Sequence, residues 1–352
     1  MPVGRLIASG VAQTCLGDAG KPHVFTFSDN YRLVIYLSGS NTVYATEPSG
    51  SAWSGPTTLV SGVQAIADGN AWTVVQVGDT LHLWYTTTTT TLTRVKIAWN
   101  ATTHSATVTS GTYALTNAAP GIGAPVDLAA VWDAANSRHY LFVADGSVRW
   151  LIGLNDSLVL QNSTQFTSLS SLGTTGDLRL AGASQTATVI YAIAQLGTAL
   201  YVVPITLSAG NPAIGTVETA TPTSISVGDI GAAFDTGGHL DLVFGAIAGG
   251  IQNLYTVKRA GTNAYGGLLT LASNLAVFPE PTSAYNSSTG DLWVFYVGQN
   301  NQANGEVYVA KRTSGVWTPG LLAAGGDATG YSNPNAGALM DGSGNVDLLY
   351  VN

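Results

Sequence analysis

Seven short apolar runs recur along this chain: RLVIYL (32–37), LHLWYT (81–86), HYLFVA (139–144), TVIYAI (188–193), LDLVFG (240–245), LWVFYV (292–297) and VDLLYV (346–351). Each follows a small-residue segment that ends on a polar turn residue: Asp29, Asp79, Asp133, Gln185, Asp235, Asn286 and Asp341. The intervals between those markers are 50, 54, 52, 50, 51 and 55 residues. A unit of this length cannot bury its own apolar faces, so the copies must stack on one another.

One copy is legible in full. Residues 281–322, PTSAYNSSTGDLWVFYVGQNNQANGEVYVAKRTSGVWTPGLL, parse into TSAYN, DLWVFYV, EVYVAKR and VWTPGLL, joined by Ser/Gly/Asn-rich turns. Three hairpins in so few residues make one antiparallel four-stranded sheet. Third strands recur in the first six units as TVYAT, RVKIA, VRWLI, LYVVP, LYTVK and VYVAK. A four-stranded unit repeated at this period predicts an all-β chain folded as a seven-bladed β-propeller of four-stranded antiparallel blades. The expectation is a single domain over 1–352. The seventh unit ends after its second strand, so GRLIAS and VAQTCLG near the N-terminus should complete it. Blade 7 is then shared by 1–20 and 334–352, which leaves no free sheet edge.

The segments VYATEPSGSAWSGP and VYVAKRTSGVWTPG, with Trp53 in W-S-G-P and Trp317 in W-T-P-G, resemble the BNR/sialidase-like repeats of lectin and phage-tail propellers. The diagnostic S-x-D-x-G-x-x-W box of true sialidases is absent. The resemblance implies a recognition protein, a lectin or a phage tail or receptor-binding component, with a glycan or cell-surface receptor as partner. The phage reading carries a virion setting, and an N-terminus without a signal peptide leaves a cytoplasmic or non-classically secreted setting as the other expectation. A homo-oligomer or larger assembly is the further implication, and a structural assembly scaffold is an alternative reading.

Charge narrows the partners. Twelve Lys and Arg against twenty Asp and Glu give a net charge of −8, with no basic cluster. Such a chain cannot track phosphates, so neither nucleic acid nor an anionic membrane surface is an expected partner. No apolar run has the length of a spanning helix, so membrane insertion is not expected. The N-terminus lacks the basic start and long apolar run of a signal peptide. Cys15 is the single cysteine, which excludes an internal disulfide and any multi-cysteine metal site. Sequons at Asn100, Asn155, Asn162 and Asn286 are what a Ser/Thr-rich chain produces without selection.

Function should sit where first strands line a channel. Six residues before each turn marker stand His23, Thr73, Asp127, Arg179, Asp229, Glu280 and Asn335, all polar. Two residues further on stand Phe25, Val75, Ala129, Ala181, Gly231, Thr282 and Gly337, which are mostly small or apolar. A polar girdle above a tighter waist suits a polar ligand such as a sugar. Tyr331 and Asn333, in GGDATGYSNPN, add an aromatic face and an amide to the same mouth, and GQNNQANGE (298–306) adds further amides. The rival reading is a glycan-cleaving hydrolase or lyase in which Asp127, Asp229 and Glu280 serve as acid, base and orienter. No G-x-S-x-G, H-E-x-x-H or phosphate loop is present. DGSGNVD (341–347) reads as a Gly-rich hairpin rather than a calcium loop. Neither a cofactor nor a metal is expected.

Overall fold

The computed structural model describes residues 24–38, 41–47, 57–61, 72–86, 90–125, 127–170, 175–182, 188–221, 226–235, 238–275, 279, 281–286, 289–298, 306–324, 338–340 and 346–348. Their strands form seven antiparallel sheets, in each of which the first strand pairs with the next in the chain and, where more are described, the second with the third. Helix among them is confined to the single turns Leu115–Asn117 and Thr167–Ser170. None is long and apolar enough to cross a membrane. The fold is all-β and propeller-like.

Sheet 1 comprises Val24–Thr26, Arg32–Ser38, Asn41–Glu47 and Thr57–Val60. Sheet 2 comprises Trp72–Val77, Thr80–Thr86, Thr91–Asn100 and Ser105–Ala114. Sheet 3 comprises Asp127–Asp133, Arg138–Ala144, Arg149–Asn155 and Leu160–Gln165. Sheets 4 and 5 open with Thr175–Gly182 and Ser226–Phe234. Each holds five strands because two separate pieces, rather than one continuous strand, pair with the third. Sheet 6 runs from Thr282–Asn286 to Val316–Ala324, and sheet 7 pairs Ala338–Met340 with Val346–Leu348. Residues 1–20, on which the expected closure of the last sheet depends, lie outside the described residues.

The sheets stack because their second strands are apolar on both faces. In Thr80–Thr86, Leu81, Leu83 and Tyr85 join Leu33, Ile35 and Leu37 of sheet 1. Trp84, on the opposite face, joins Leu128, Leu141 and Val143 of sheet 3. A period-2 strand with two apolar faces is stable only between two covering layers. The first strands contact one another in sheet order from sheet 2 to sheet 7, and sheet 7 in turn contacts sheet 1. Between sheets 1 and 2, Gln76 Nε2 donates to the Thr26 carbonyl at 2.8 Å. The first strands are therefore innermost.

The turn markers act through their side chains. Asp29 accepts the Tyr31 N–H at 3.1 Å, Asp133 the Asn136 N–H at 3.2 Å, Asp235 the His239 N–H at 2.9 Å and Asn286 the Thr289 N–H at 3.2 Å. These local bonds offer the backbone a turn in place of the ladder. Asp79 instead reaches sheet 1, accepting the Ser28 N–H at 2.8 Å. Gln185 and Asp341 lie outside the described residues.

Candidate functional site

Each first strand ends at its hairpin turn, so its beginning lies at the opposite end, where the chain arrives from the preceding sheet. Asp127 opens the first strand of sheet 3 opposite Ala144. It is 1% exposed, and its Oδ1 accepts the Leu128 N–H at 2.7 Å. His23, Glu280, Tyr331, Asn333 and Asn335 lie outside the described residues. Asp229 is described for its backbone, in the strand Ser226–Phe234.

Strand register decides which positions are equivalent. Alternate residues of each second strand join the cluster shared with the preceding sheet: Leu141 and Val143 in sheet 3, Ile190, Ala192 and Ala194 in sheet 4, Leu240, Leu242 and Phe244 in sheet 5. Counted from the hairpin, Val143 (after His139 and Leu141), Ala194 and Phe244 stand third on that face, which continues to Leu196 and Ala246 in sheets 4 and 5, and these three pair with Leu128, Leu178 and Ile230 of the first strands. The residue before each of those three is an aspartate: Asp127, Asp177 and Asp229. In sheets 4 and 5 the ladder shifts between Thr175 and Leu178 and between Val227 and Ile230. Gly176–Asp177 and Gly228–Asp229 both fall in that irregularity. Bulges of this kind bend a strand and re-aim its side chains.

Arg179 therefore stands two residues beyond the level of Asp127 and Asp229, which corrects the level counted from the sequence. Asp127 and Asp229 precede their turn markers by six residues, whereas Asp177 precedes Gln185 by eight. Counting from Gln185 therefore puts Arg179, and the strand register Asp177, at the level of Asp127 and Asp229. Arg179 is 6% exposed; its Nε donates to the Ile230 carbonyl of sheet 5 at 3.2 Å and its Nη1 to the Leu178 carbonyl at 2.8 Å. The first of these bonds ties two adjacent inner strands together, and the second stays within the strand of Arg179.

A second group of chemistry-bearing residues lies at the other end, between sheets 2 and 3. His82, near the start of Thr80–Thr86, and His139, near the start of Arg138–Ala144, have ring centroids 4.2 Å apart. Asp156, in the turn that follows Arg149–Asn155, brings its Oδ1 to 3.9 Å from His82 Nδ1. One ligand atom from each of the three lies within 4.8 Å of the others. His139 is fully buried and His82 is 3% exposed, while the Asp156 side chain is half exposed. Neither ring nitrogen of His139, nor Nδ1 of His82, has a hydrogen-bond partner. Trp132 and Trp84 wall the pair, with centroids 4.5 and 5.2 Å from His139.

The electrostatics here are sharply divided. Burial, reinforced by the charge of Arg94, pulls His82 down to about 4. Burial, then His82 and Arg94, pulls His139 down to about 3. Both rings are neutral near pH 7 and keep a lone pair available. Burial pushes Asp156 up, but the hydrogen bond from Lys96 and the charge of Arg94 outweigh it and hold the carboxyl below its ordinary value. Arg94 Nη1 donates to Oδ1 at 2.9 Å and Lys96 Nζ to Oδ2 at 2.8 Å. Sequence reasoning missed this group. Its signal was a histidine inside the apolar second-strand core of two consecutive units, LHLWYT and HYLFVA, where every other unit is free of histidine.

No family model matches the chain. No curated protein matches it in sequence. Solved structures do match. AofleA from Arthrobotrys oligospora is 13% identical, with 92% of this chain and 96% of that chain covered and a TM-score of 0.53. A Lactobacillus plantarum protein is 12% identical over 85% and 83%, with a TM-score of 0.56. An ulvan lyase of a polysaccharide lyase family, bound to a -[GlcA(1-4)Rha3S]- oligosaccharide, is 10% identical over 88% and 86%, with a TM-score of 0.57. At such identities the likeness is one of fold, and in fold this chain is similar to these propeller-like proteins over most of its length.

Proposed function

We propose that this chain is a glycan-recognition protein that takes a neutral sugar at the channel mouth of a seven-bladed propeller. The observation that carries this reading is the level shared by Asp127, Asp177 and Asp229 on three consecutive inner strands. Glu280, two residues before the strand that opens at Thr282, continues the series in the next unit. Carboxylates are acceptors with two oxygens each, suited to the paired hydroxyls of a sugar ring. An acidic level on a chain of net charge −8 repels uronates and sulfates, which favours a neutral ligand. His23, Asn335 and Asn333 are the neutral polar members of this mouth and Tyr331 its aromatic face, with Arg179 a counter-charge beneath. An oligosaccharide bound by an ulvan lyase of similar fold supports a glycan as the ligand class. A lectin and a phage tail or receptor-binding component are two settings for the same chemistry.

The same carboxylates favour one second reading, a glycoside hydrolase, which needs two of them about 5–9.5 Å apart. A glycan array followed by a reducing-end assay on the hits separates the two. The binder reading expects neutral-sugar hits, no new reducing ends, and a loss of about 1–3 kcal/mol of affinity in Glu280→Gln. A hydrolase would lose roughly 10²–10⁴ in turnover with the same change. Cleavage by the wild-type chain that vanishes in Glu280→Gln overturns the binder, and hits confined to sulfated or uronate glycans overturn the neutral ligand.

A further inference from the structure

The histidine pair between sheets 2 and 3 is a long way from ordinary core chemistry. A neutral imidazole carries one donor and one acceptor. Leaving such a group buried without a partner costs about 1–3 kcal/mol. His139 has both nitrogens in that state and His82 has one, side by side. An apolar pair of the same size would stack these sheets without that cost, as Leu141 and Val143 do one and two turns of the pleat further along. The site is also approachable: the Asp156 side chain is half exposed, so the cluster runs from the core to the surface.

We propose that His82, His139 and Asp156 form a binding site for a divalent first-row transition ion of the Zn²⁺ class, which staples sheet 2 to sheet 3. Two imidazole nitrogens and one carboxylate oxygen are the donor set such ions take, with a solvent molecule in the fourth position. Calcium and magnesium are excluded as the natural occupants, because they demand oxygen ligands throughout. A tetrahedral ion with bonds of about 2.0–2.1 Å holds its ligand atoms roughly 3.4 Å apart. The three donors already lie within 4.8 Å, so side-chain rotations suffice to close the set. The Trp84 and Trp132 rings pack against His139 on the inner side, with Arg94 lying over Trp84.

Arg94 and Lys96 give the site its particular character. Both already hold Asp156, one on each oxygen. An entering cation must draw the carboxylate from at least one of them. Binding is thus set by competition between the ion and two fixed cations, and removing Lys96 strengthens it. The site sits at the end of the molecule opposite the proposed sugar mouth, so its success or failure leaves that reading untouched.

The test uses tag-free, chelator-stripped full-length chain titrated with Zn²⁺ by calorimetry, and with Co²⁺ followed by its visible absorption and by tryptophan fluorescence. The expected result is one tight equivalent, a tetrahedral Co²⁺ spectrum, quenching of the flanking tryptophans, and a rise in melting temperature. His139→Ala and Asp156→Asn should each weaken binding by about 100-fold or more, beyond the 10–100-fold typical of a lost outer partner. Lys96→Met should tighten it several-fold. Asp156 and Lys96 are partly exposed, so these two variants keep the test valid should His139→Ala fail to fold. No saturable binding by wild type overturns the inference, as does unchanged affinity in Asp156→Asn, which would put the ion at another histidine.

Discussion

Glu218 is fully buried, yet it is charged. Its carboxylate accepts Nε and Nη2 of Arg259, each at 2.8 Å, and the Tyr265 hydroxyl at 2.7 Å, while the Arg259 guanidinium lies 5.0 Å over the Tyr191 ring. Burial pushes the Glu218 pKa up, but the bonds from Arg259 and Tyr265 outweigh it, and the net direction is down. A carboxyl lowered on folding contributes stability above its unfolded value of about 4.3, and that contribution is lost as pH falls through the folded value. Glu218→Gln should cost about 3–5 kcal/mol at pH 7, because it leaves the Arg259 charge buried without its partner. Denaturant unfolding measures this, and the gap between wild type and variant should begin to narrow as pH falls below the unfolded value of about 4.3 and close only below the lowered folded value, where wild type has lost the charge as well. Equal unfolding midpoints at pH 7 would refute the account. Nothing in the sequence singled out this pair, since 41 residues separate its members and only the stacking of two sheets brings them together. The same limit hid Asp177: its level is set by pairing with the second strand, and no residue count from an uncertain turn could supply that.

Hairpins, by contrast, are local objects, and their strands could be read directly. EVYVAKR and VWTPGLL fall within the observed strands Glu306–Thr313 and Val316–Ala324, because alternation and a Gly-containing turn determine both. What the alternation could not show is how side chains cross the sheet. Tyr296 and Tyr308 stack at 5.7 Å in sheet 6, and glycines make room for both. A Cβ on Gly320 would collide with the Tyr296 hydroxyl, and one on Gly298 would stand 2.7 Å from the Tyr308 ring. These glycines are required for close approach rather than for a turn. Gly320→Ala should therefore displace a ring that is only 5% exposed and cost about 1–3 kcal/mol, visible as a lower melting temperature and altered near-ultraviolet dichroism. Gly267→Ala, where nothing lies within 4 Å, is the control and should leave both signals in place. A Gly320→Ala chain that melts with the control would show that Tyr296 relaxes freely. The expectation of four strands per unit also meets its limit here. In sheets 4 and 5 the fourth place is filled by two fragments, among them Glu218–Thr219, too short to carry a periodic signal.

Across the whole molecule, each junction from sheets 1 and 2 to sheets 5 and 6 carries at least one polar strap beside its apolar stack. Asp29 of sheet 1 accepts Trp99 Nε1 at 2.9 Å; Asp156 of sheet 3 holds Arg94; Arg138 of sheet 3 donates to the Gly210 carbonyl at 3.1 Å. Arg259 holds Glu218 across the junction of sheets 4 and 5, and Arg312 holds Asp241, both nitrogens to both oxygens, across that of sheets 5 and 6. Apolar stacking alone would let neighbouring sheets slide, whereas bidentate pairs fix their offset. The period near fifty announced this serial stack of antiparallel sheets, seven of them among the described residues, because a repeat carries its own architecture. Repetition says less about how the series ends. Sheet 7 has two described strands, and it touches sheet 6 on one side and sheet 1 on the other. The proposed closure adds two strands from residues 1–20 to that sheet, making it the one blade built from both ends of the chain. Its stability would then depend on a non-local pairing that every other sheet avoids. Deleting residues 1–16 should expose the unpaired edge of the Val346–Leu348 strand and leave sheet 1 without its full neighbour, so the shortened chain should aggregate or melt well below the full one. Size-exclusion chromatography and thermal unfolding read both effects. A shortened chain that stays monomeric with an unchanged melting temperature would mean that the ring closes without its N-terminus, and the shared blade would have to be abandoned.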